Sequence, residues 1–101
     1  MILNGVNIQD NFLKQEATKW GIKEIALFGS ILTDKFTPQS DIDLMITFKD
    51  DAKISYFDIL SLKDEFSQEL SRSVDVVEKK AIRNPYMQKT IFSSFRVIYA
   101  S

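Results

Sequence analysis

The stretch IKEIALFGSILTDKFTPQSDIDLMITF, residues 22–48, contains two apolar runs separated by a polar segment. The runs, Ile22–Phe28 and Ile42–Phe48, are short and rich in β-branched side chains, which predicts two buried β-strands. The first strand is predicted to end at Gly29–Ser30. A small residue at a strand end, followed by the start of a helix, presents backbone N–H groups and a hydroxyl to a phosphate.

Two aspartates, Asp41 and Asp43, open the second of these strands. Residues two apart on a strand point the same way, so both carboxylates are predicted to project from one face. Like charges held side by side repel, and burying them is costly unless a cation lies between them. Asp75 adds a third acid in the apolar strand Val74–Val77, which we predict to lie beside the strand of Asp41 and Asp43. Three acids of this kind match a magnesium site completed by waters and substrate phosphates.

The residue counts exclude most other chemistry. The 101 residues include no cysteine, no histidine and only three glycines, and their net charge is −1. A disulfide scaffold, a Cys/His zinc site, a thiol nucleophile and a histidine base are therefore excluded. No Gly-x-Gly-x-x-Gly loop and no Gly-Lys-Ser/Thr phosphate loop is present. The near-neutral charge argues against direct nucleic-acid binding through broad electrostatic attraction.

Apolar periodicity predicts two longer helices. The first has an N-cap at Asn7 and a stop at Gly21. Its apolar face comprises Ile8, Phe12, Leu13, Ala17 and Trp20. The second begins at a cap formed by Ser55 and Asp58. Its apolar side comprises Ile59, Leu62, Phe66 and Leu70, and its solvated side comprises Lys63, Asp64, Glu65, Gln68 and Glu69.

The last part of the chain predicts a short helix and a final strand. Asn84–Pro85 marks the entry to a helix over about residues 86–93, and Phe95–Tyr99 reads as a strand. This order of elements predicts an α/β (α+β) fold, a small mixed sheet packed against helices, in a single domain over residues 1–101. Four aromatic residues are expected in the core: Trp20, Tyr86, Phe92 and Phe95. Four basic residues are expected on the solvated surface: Arg72, Lys79, Lys80 and Arg83.

At the Gly-Ser and Asp-x-Asp motifs the sequence resembles the polymerase-β-type nucleotidyltransferases, whose signature places ten residues between these two pairs. More narrowly, it resembles the minimal nucleotidyltransferase group, from about Ile22 to Tyr99. The residues that carry the narrower resemblance are Leu27–Ser30, Phe36, Pro38, Ser40–Leu44, Val74–Val77 and Asn84–Pro85.

The resemblance implies a polymerase-β-like fold and specific roles for five residues. Asp41 and Asp43 would bind two magnesium ions, and Asp75 would bind one of them and help to activate the attacking hydroxyl. Gly29 and Ser30 would hold the triphosphate of ATP. An in-line attack on the α-phosphorus, with pyrophosphate leaving, is the implied reaction. Stand-alone members are frequently antitoxins that transfer AMP to a tyrosine of a helical HEPN-domain toxin.

The chain departs from that family after the serine, where members often have a basic residue and a glycine. Thr33 and Asp34 stand at those places, and Lys35 follows. This departure keeps open a binding module that neutralises a toxin without turnover. Nucleotidyl transfer to a small molecule such as an aminoglycoside also stays open, with a second subunit completing the pocket of a homo-oligomer.

The N-terminal residues, 1–5, lack the basic start and long apolar run of a signal peptide. No apolar stretch approaches the roughly 18 residues that span a bilayer. The sequence therefore predicts a cytoplasmic protein that does not associate with a membrane.

Overall fold

The computed structural model describes residues 1–101 and contains six strands and three α-helices. In chain order they are β1 (Ile2–Leu3), β2 (Val6–Asn7), α1 (Asp10–Trp20), β3 (Ile22–Phe28), β4 (Ile42–Phe48), α2 (Tyr56–Leu70), β5 (Val74–Glu78), α3 (Pro85–Phe92) and β6 (Phe95–Ala100). The four longer strands form one mixed sheet in the order β5-β4-β3-β6, with β4 and β5 parallel and the other neighbours antiparallel. β1 and β2 form a separate antiparallel pair. The predicted α/β class with one small mixed sheet is confirmed.

Alternation along the strands gives this sheet two different faces. Leu44 and Ile46 of β4 belong to a large buried cluster with apolar residues of α1 and α2, and we call this side the helical face. Asp43 and Met45, one residue out of phase, point to the other side, which we call the open face. A smaller cluster lies on the open face and consists of Ala26, Met45, Ile82 and Ile91. The two faces share strands but differ greatly in how well they are covered.

The start of α1 differs from the prediction. Asn7 lies in β2, and the N-cap is Gln9, whose side chain makes no capping hydrogen bond. Met1 and Ile8 bond to each other through backbone groups at 2.8 Å, so the first eight residues are held in a hairpin rather than in a helix. The predicted stop is confirmed, because Gly21 adopts a left-handed conformation with φ +67°.

The starts of α2 and α3 match the prediction closely. The Ser55 hydroxyl accepts from the Asp58 N–H at 3.2 Å, and the Asp58 carboxylate accepts from the Ser55 N–H at 2.9 Å. The Asn84 side chain caps α3 by accepting from the Tyr86 N–H at 2.9 Å. These side chains satisfy backbone donors that a helix start leaves without partners.

The predicted aromatic core was wrong for three of its four members. Tyr86 is 83% exposed, and Phe92 and Phe95 are each 37% exposed. Tyr86 and Phe92 lie on α3, which has eight residues and buries only Ile91. Phe95 begins β6, an edge strand whose first three residues are exposed. Trp20 packs in part against the core of the helical face, as predicted.

None of the three helices combines the length and the hydrophobicity needed to span a bilayer.

Candidate active site

The paired acids of the sequence meet at one end of the sheet, on its open face. Asp43 of β4 lies directly opposite Asp75 of β5 in the parallel register. On its other side Asp43 lies opposite Phe28, the last residue of β3. Asp41 is exposed and stands just before β4 begins. The structure therefore brings Asp75 beside Asp43, as the sequence predicts.

Electrostatic evidence links all three carboxylates. Asp43 is half-buried, and burial raises the pKa of its carboxyl above the ordinary value. The negative charges of Asp75 and then Asp41 raise the same pKa further. A cation bound beside Asp43 would be stabilised there, because it would offset the repulsion among the three carboxylates and the cost of burying one of them.

Gly29 approaches Asp43 more closely than any other residue type allows. Its φ of +79° lies in the left-handed region. A side chain there would put its Cβ 3.3 Å from Asp43 Cγ and into one of the carboxylate oxygens. The backbone conformation therefore favours glycine, and a larger residue would displace the Asp43 carboxylate. The Gly-Ser pair and the Asp-x-Asp pair form one structural unit.

Ser30 lies in a short 3₁₀ turn, Gly29–Leu32, that follows β3. Its carbonyl accepts from both the N–H and the hydroxyl of Thr33, each at 2.9 Å. Ser30 is partly buried, and its hydroxyl bonds to no group of the chain. Thr33 thus closes the turn at the place where the related family often has a basic residue.

Two residues that the motifs do not include hold the loop between the Gly-Ser turn and Asp41. Asn4, in the tight turn between β1 and β2, donates its side-chain N–H groups to the carbonyls of Ile31 and Thr33 at 2.6 and 3.0 Å. This contact gives the N-terminal hairpin a role in the site, which the sequence did not indicate. No motif signal could have found Asn4, because its partners lie 27 and 29 residues away.

Arg72 holds the other end of the same loop. Its guanidinium donates to the carbonyls of Thr37 and Ser40 at 2.8 and 3.0 Å. It also stacks over the Phe36 ring at 4.5 Å from the ring centre. The prediction of a solvated Arg72 was therefore wrong, since this side chain fixes the backbone immediately before Asp41.

Two adjoining cavities open on the same face. The first, of about 480 Å³, contains Asp43 and Asp75 together with Lys63 and apolar residues of α2 and β5. The second, of about 510 Å³, is mainly apolar and reaches from Gly29 and Thr33 to α3. Phe28 and Met87 line both cavities and so separate them. We call the first the acid cavity and the second the apolar cavity.

The donor set fits magnesium in its chemistry. Every candidate ligand is a carboxylate oxygen, which a hard divalent ion prefers. The three acids do not converge on a preformed three-ligand cage. Magnesium usually keeps several waters and substrate oxygens, so two facing carboxylates with an open side suit it better than a closed cage. Asp43 and Asp75 are the residues that would hold an ion, with Asp41 at its edge.

The family model described as nucleotidyltransferase domain matches residues 10–98 of this chain. Two proteins of Methanocaldococcus jannaschii, each provisionally named a protein adenylyltransferase, are 40% identical to it over 73 residues. These matches cover 72% of this chain and 73% and 72% of the two relatives.

Solved structures share the fold at low sequence identity. A toxin–antitoxin complex with AMP-PNP aligns with a TM-score of 0.73 at 16% identity, over 93% of this chain and 75% of its own. A tri-AMPylated Shewanella oneidensis HEPN toxin in complex with MNT antitoxin aligns with a TM-score of 0.64 at 16% identity, over 90% and 69%. A provisionally named minimal nucleotidyltransferase aligns with a TM-score of 0.67 at 20% identity, over 88% and 86%.

Proposed function

This chain belongs to the nucleotidyltransferase domain family, and from that premise we propose that it transfers AMP from ATP to a tyrosine hydroxyl of a partner HEPN toxin. Modification of the toxin would make the chain its antitoxin. The chemistry would lie within a single domain, residues 1–101, acting in the cytoplasm.

The observation that carries this proposal is the register of the two strands that bear the acids. Asp43 and Asp75 lie side by side on neighbouring strands. Gly29, which follows the end of β3, lies against Asp43 on its other side. The order across the sheet is therefore Gly-Ser turn, Asp43, Asp75. Neighbouring strands lie about 4.8 Å apart, so this arrangement spans roughly 10 Å, enough for a phosphate chain at one end and an attacking hydroxyl at the other.

The two ends of this arrangement have different roles in the reaction. The acceptor oxygen forms a bond to the α-phosphorus of ATP, and the bond from that phosphorus to the bridging oxygen breaks. Pyrophosphate leaves with the bonding electrons. The proton of the hydroxyl passes to the carboxylate of Asp75, which lies on the edge strand and has a side chain 54% exposed. Backbone N–H groups of the Gly29–Leu32 turn and the Ser30 hydroxyl bind the phosphates that leave.

Two magnesium ions would be held by Asp41, Asp43 and Asp75, and would stabilise the charge on the phosphate oxygens. The chain must hold these carboxylates in the correct positions for this. Arg72 does so for Asp41 by fixing the carbonyl of Ser40. Gly29 does so for Asp43 by leaving room for its carboxylate.

The nucleoside would occupy the apolar cavity. This cavity begins at Gly29, and aromatic and sulfur-containing side chains of Phe28, Tyr86 and Met87 line it. Hydroxyls of Thr90 and Ser94 supply polar groups on the α3 side. The phosphates would then run from the apolar cavity past Gly29 into the acid cavity.

A protein acceptor is supported by the comparisons rather than by the geometry. Two relatives at 40% identity carry the name protein adenylyltransferase. Two complexes with the same fold are described as toxin–antitoxin pairs, one of them with an AMPylated HEPN toxin. These likenesses favour a tyrosine of such a partner over a small-molecule acceptor.

The decisive experiment follows labelled phosphate. The chain is incubated with α-labelled ATP, magnesium and a candidate HEPN-domain partner. Label is expected on the partner with the native chain and with Asp51→Asn, an exposed acid away from the site. Label is expected to be lost with Asp43→Asn and with Asp75→Asn. Transfer that persists in both of these variants would contradict the proposal.

A second function, neutralisation by binding alone, is favoured by the exposed apolar residues around the apolar cavity. Tyr86, Met87, Phe92, Phe95 and Val97 are all more than a third exposed. An uncovered apolar surface of this kind is typical of a contact with another protein. Toxin neutralisation that survives Asp41→Asn with Asp43→Asn, without label on the partner, would favour this second function.

A further inference from the structure

Lys63 occupies an unexpected place in the acid cavity. The periodicity of α2 assigns it to the solvated side of the helix, but its Nζ lies 3.7 Å from Oδ1 of Asp75. The side chain of Lys63 is 44% exposed, so its stem is partly covered while its charge stays at the cavity surface. α2 packs against β5, which is the edge strand of the sheet, and Lys63 reaches Asp75 past that edge.

Lys63 offsets part of the negative charge of the acid cavity. Two carboxylates, Asp43 and Asp75, line the cavity, and Lys63 is its single cationic side chain. The other basic residue near the site, Arg72, is bonded to loop carbonyls rather than to a carboxylate. Seven of the ten lining residues are apolar, so water screens the charges less than it does on an open surface.

We propose that Lys63 is the counter-ion of Asp75 in the metal-free chain and gives up this contact when a divalent cation binds between Asp43 and Asp75. The inference rests on the function proposed above, because it requires those acids to be metal ligands. Lys63 is a positioning residue in this scheme. It holds the Asp75 carboxylate in place before the metal arrives, and it competes with the metal for the same carboxylate.

Competition between Lys63 and the cation for Asp75 predicts that removing the Lys63 charge increases the affinity for the cation. Removing a positive charge beside a cation site removes both a competitor and a repulsion, so the site should bind the cation more tightly. A residue that only stabilised the fold would have the opposite effect or none. Lys63→Met keeps the length of the stem and its packing but removes the charge.

The test measures binding of Mn²⁺ alone to the full chain by electron paramagnetic resonance of the free ion. Lys63→Met is expected to bind Mn²⁺ about 10-fold more tightly than the native chain, which corresponds to one unit charge a few ångströms from the ion in a partly screened cavity. Lys14→Met is the matched control, because Lys14 is also a helical lysine, is exposed and makes no ion pair. Its affinity is expected to equal that of the native chain.

A double variant tests whether Lys63 acts through Asp75. In an Asp75→Asn background the gain from Lys63→Met should become smaller, because the competition for Asp75 is absent and only the repulsion between Lys63 and the ion remains. Circular dichroism and thermal melting verify the fold of each variant, and Lys63→Gln replaces Lys63→Met if the latter does not fold.

The outcomes separate this inference from the proposed function. Equal or weaker Mn²⁺ binding by a folded Lys63→Met, or a gain that persists in full with Asp75→Asn, overturns the inference alone, provided that Asp43→Asn still weakens binding. A native chain that binds no Mn²⁺, or binds it equally well after Asp43→Asn, overturns the metal site and the inference with it.

Discussion

The helical face and the open face are formed by the same strands, and each holds one carboxyl group whose pKa is raised. On the open face this is Asp43, which two other acids approach and which borders a cavity. On the helical side it is Glu16 of α1, which is only 5% exposed and lies near Glu65 of α2. Burial is the largest cause of the shift in both. Asp43 borders a cavity where a bound cation could neutralise its charge, whereas Glu16 is enclosed by the fold.

The same contrast holds for neighbouring residues of β4. Leu44 is fully buried on the helical face, whereas Asp43 is half-buried on the open face. Two adjacent residues thus differ in role: the Leu44 side chain stabilises the fold, and the Asp43 side chain belongs to the candidate site. Substitutions on the two faces should therefore affect different measurements, and the following predictions test that separation.

Leu44→Ala should give the largest loss of stability. Removing a fully buried leucine costs the transfer free energy of its side chain and leaves a cavity, about 3 kcal/mol in all. Asp43→Asn, its neighbour, should leave stability unchanged or slightly higher because it removes a repelling charge. Denaturant unfolding monitored by circular dichroism measures both. Comparable destabilisation by the two variants would break the distinction between the faces.

Glu16 should make stability depend on pH. Burial and the adjacent Glu65 carboxylate raise its pKa from 4.5 to about 7, and Lys19 only partly opposes them. Because the folded chain holds this proton more tightly, its contribution is complete below pH 4.5 and is lost as pH rises through 7. A shift of this size corresponds to at most about 3 kcal/mol. Glu16 Oε1 and Trp20 Nε1 are buried without a hydrogen-bond partner.

Glu16→Gln is the variant that checks this dependence. Relative to the native chain it should become more stable by about 2 kcal/mol as pH rises from 5 to 8. Glu69→Gln, an exposed acid on α2, is the control and should parallel the native chain. Unfolding curves at both pH values supply the measurement. If the free energy of unfolding of the native chain and of Glu16→Gln depended on pH in the same way, the raised pKa of Glu16 would be contradicted.

Arg72→Ala should give the smallest of these effects and should act on the open face. It removes two hydrogen bonds and one stacking contact that hold the loop before Asp41. A loss of about 10-fold in the proposed transfer of AMP is expected, since misplacing Asp41 would be costly to catalysis. Arg83→Ala, which removes another arginine, is the control. An unchanged rate for Arg72→Ala would show that the loop is held well enough by Asn4 alone.

Much of the architecture could be predicted from local patterns. The strands over residues 22–28 and 42–48 agree with the structure, because their apolar runs and flanking polar residues are strong signals. The caps of α2 and α3 are likewise local, since each involves residues two or three positions apart. The hairpin of β1 and β2 was missed, because strands of two residues carry no usable periodicity.

The candidate site was predictable only in its reactive groups. Asp41, Asp43, Asp75, Gly29 and Ser30 can be recognised as types at a given spacing. Asn4, Lys63 and Arg72 could not, because their hydrogen-bond and ion-pair partners in the site lie 12 to 35 positions away. A lysine or an arginine on the surface looks the same in sequence whether it faces water or an acid.

The sequence by itself determined the classes of chemistry open to this protein. Because the chain has no cysteine or histidine, any metal must be bound by oxygen ligands. Alternation along β4 makes the Asp43 and Leu44 side chains point to opposite faces of the sheet. Only the tertiary structure decided which groups meet. The parallel pairing of β4 with β5 aligns Asp43 with Asp75, and the packing of α2 on β5 brings Lys63 to the same carboxylate. Strand pairing and helix packing depend on the burial of the whole core, which no short motif specifies.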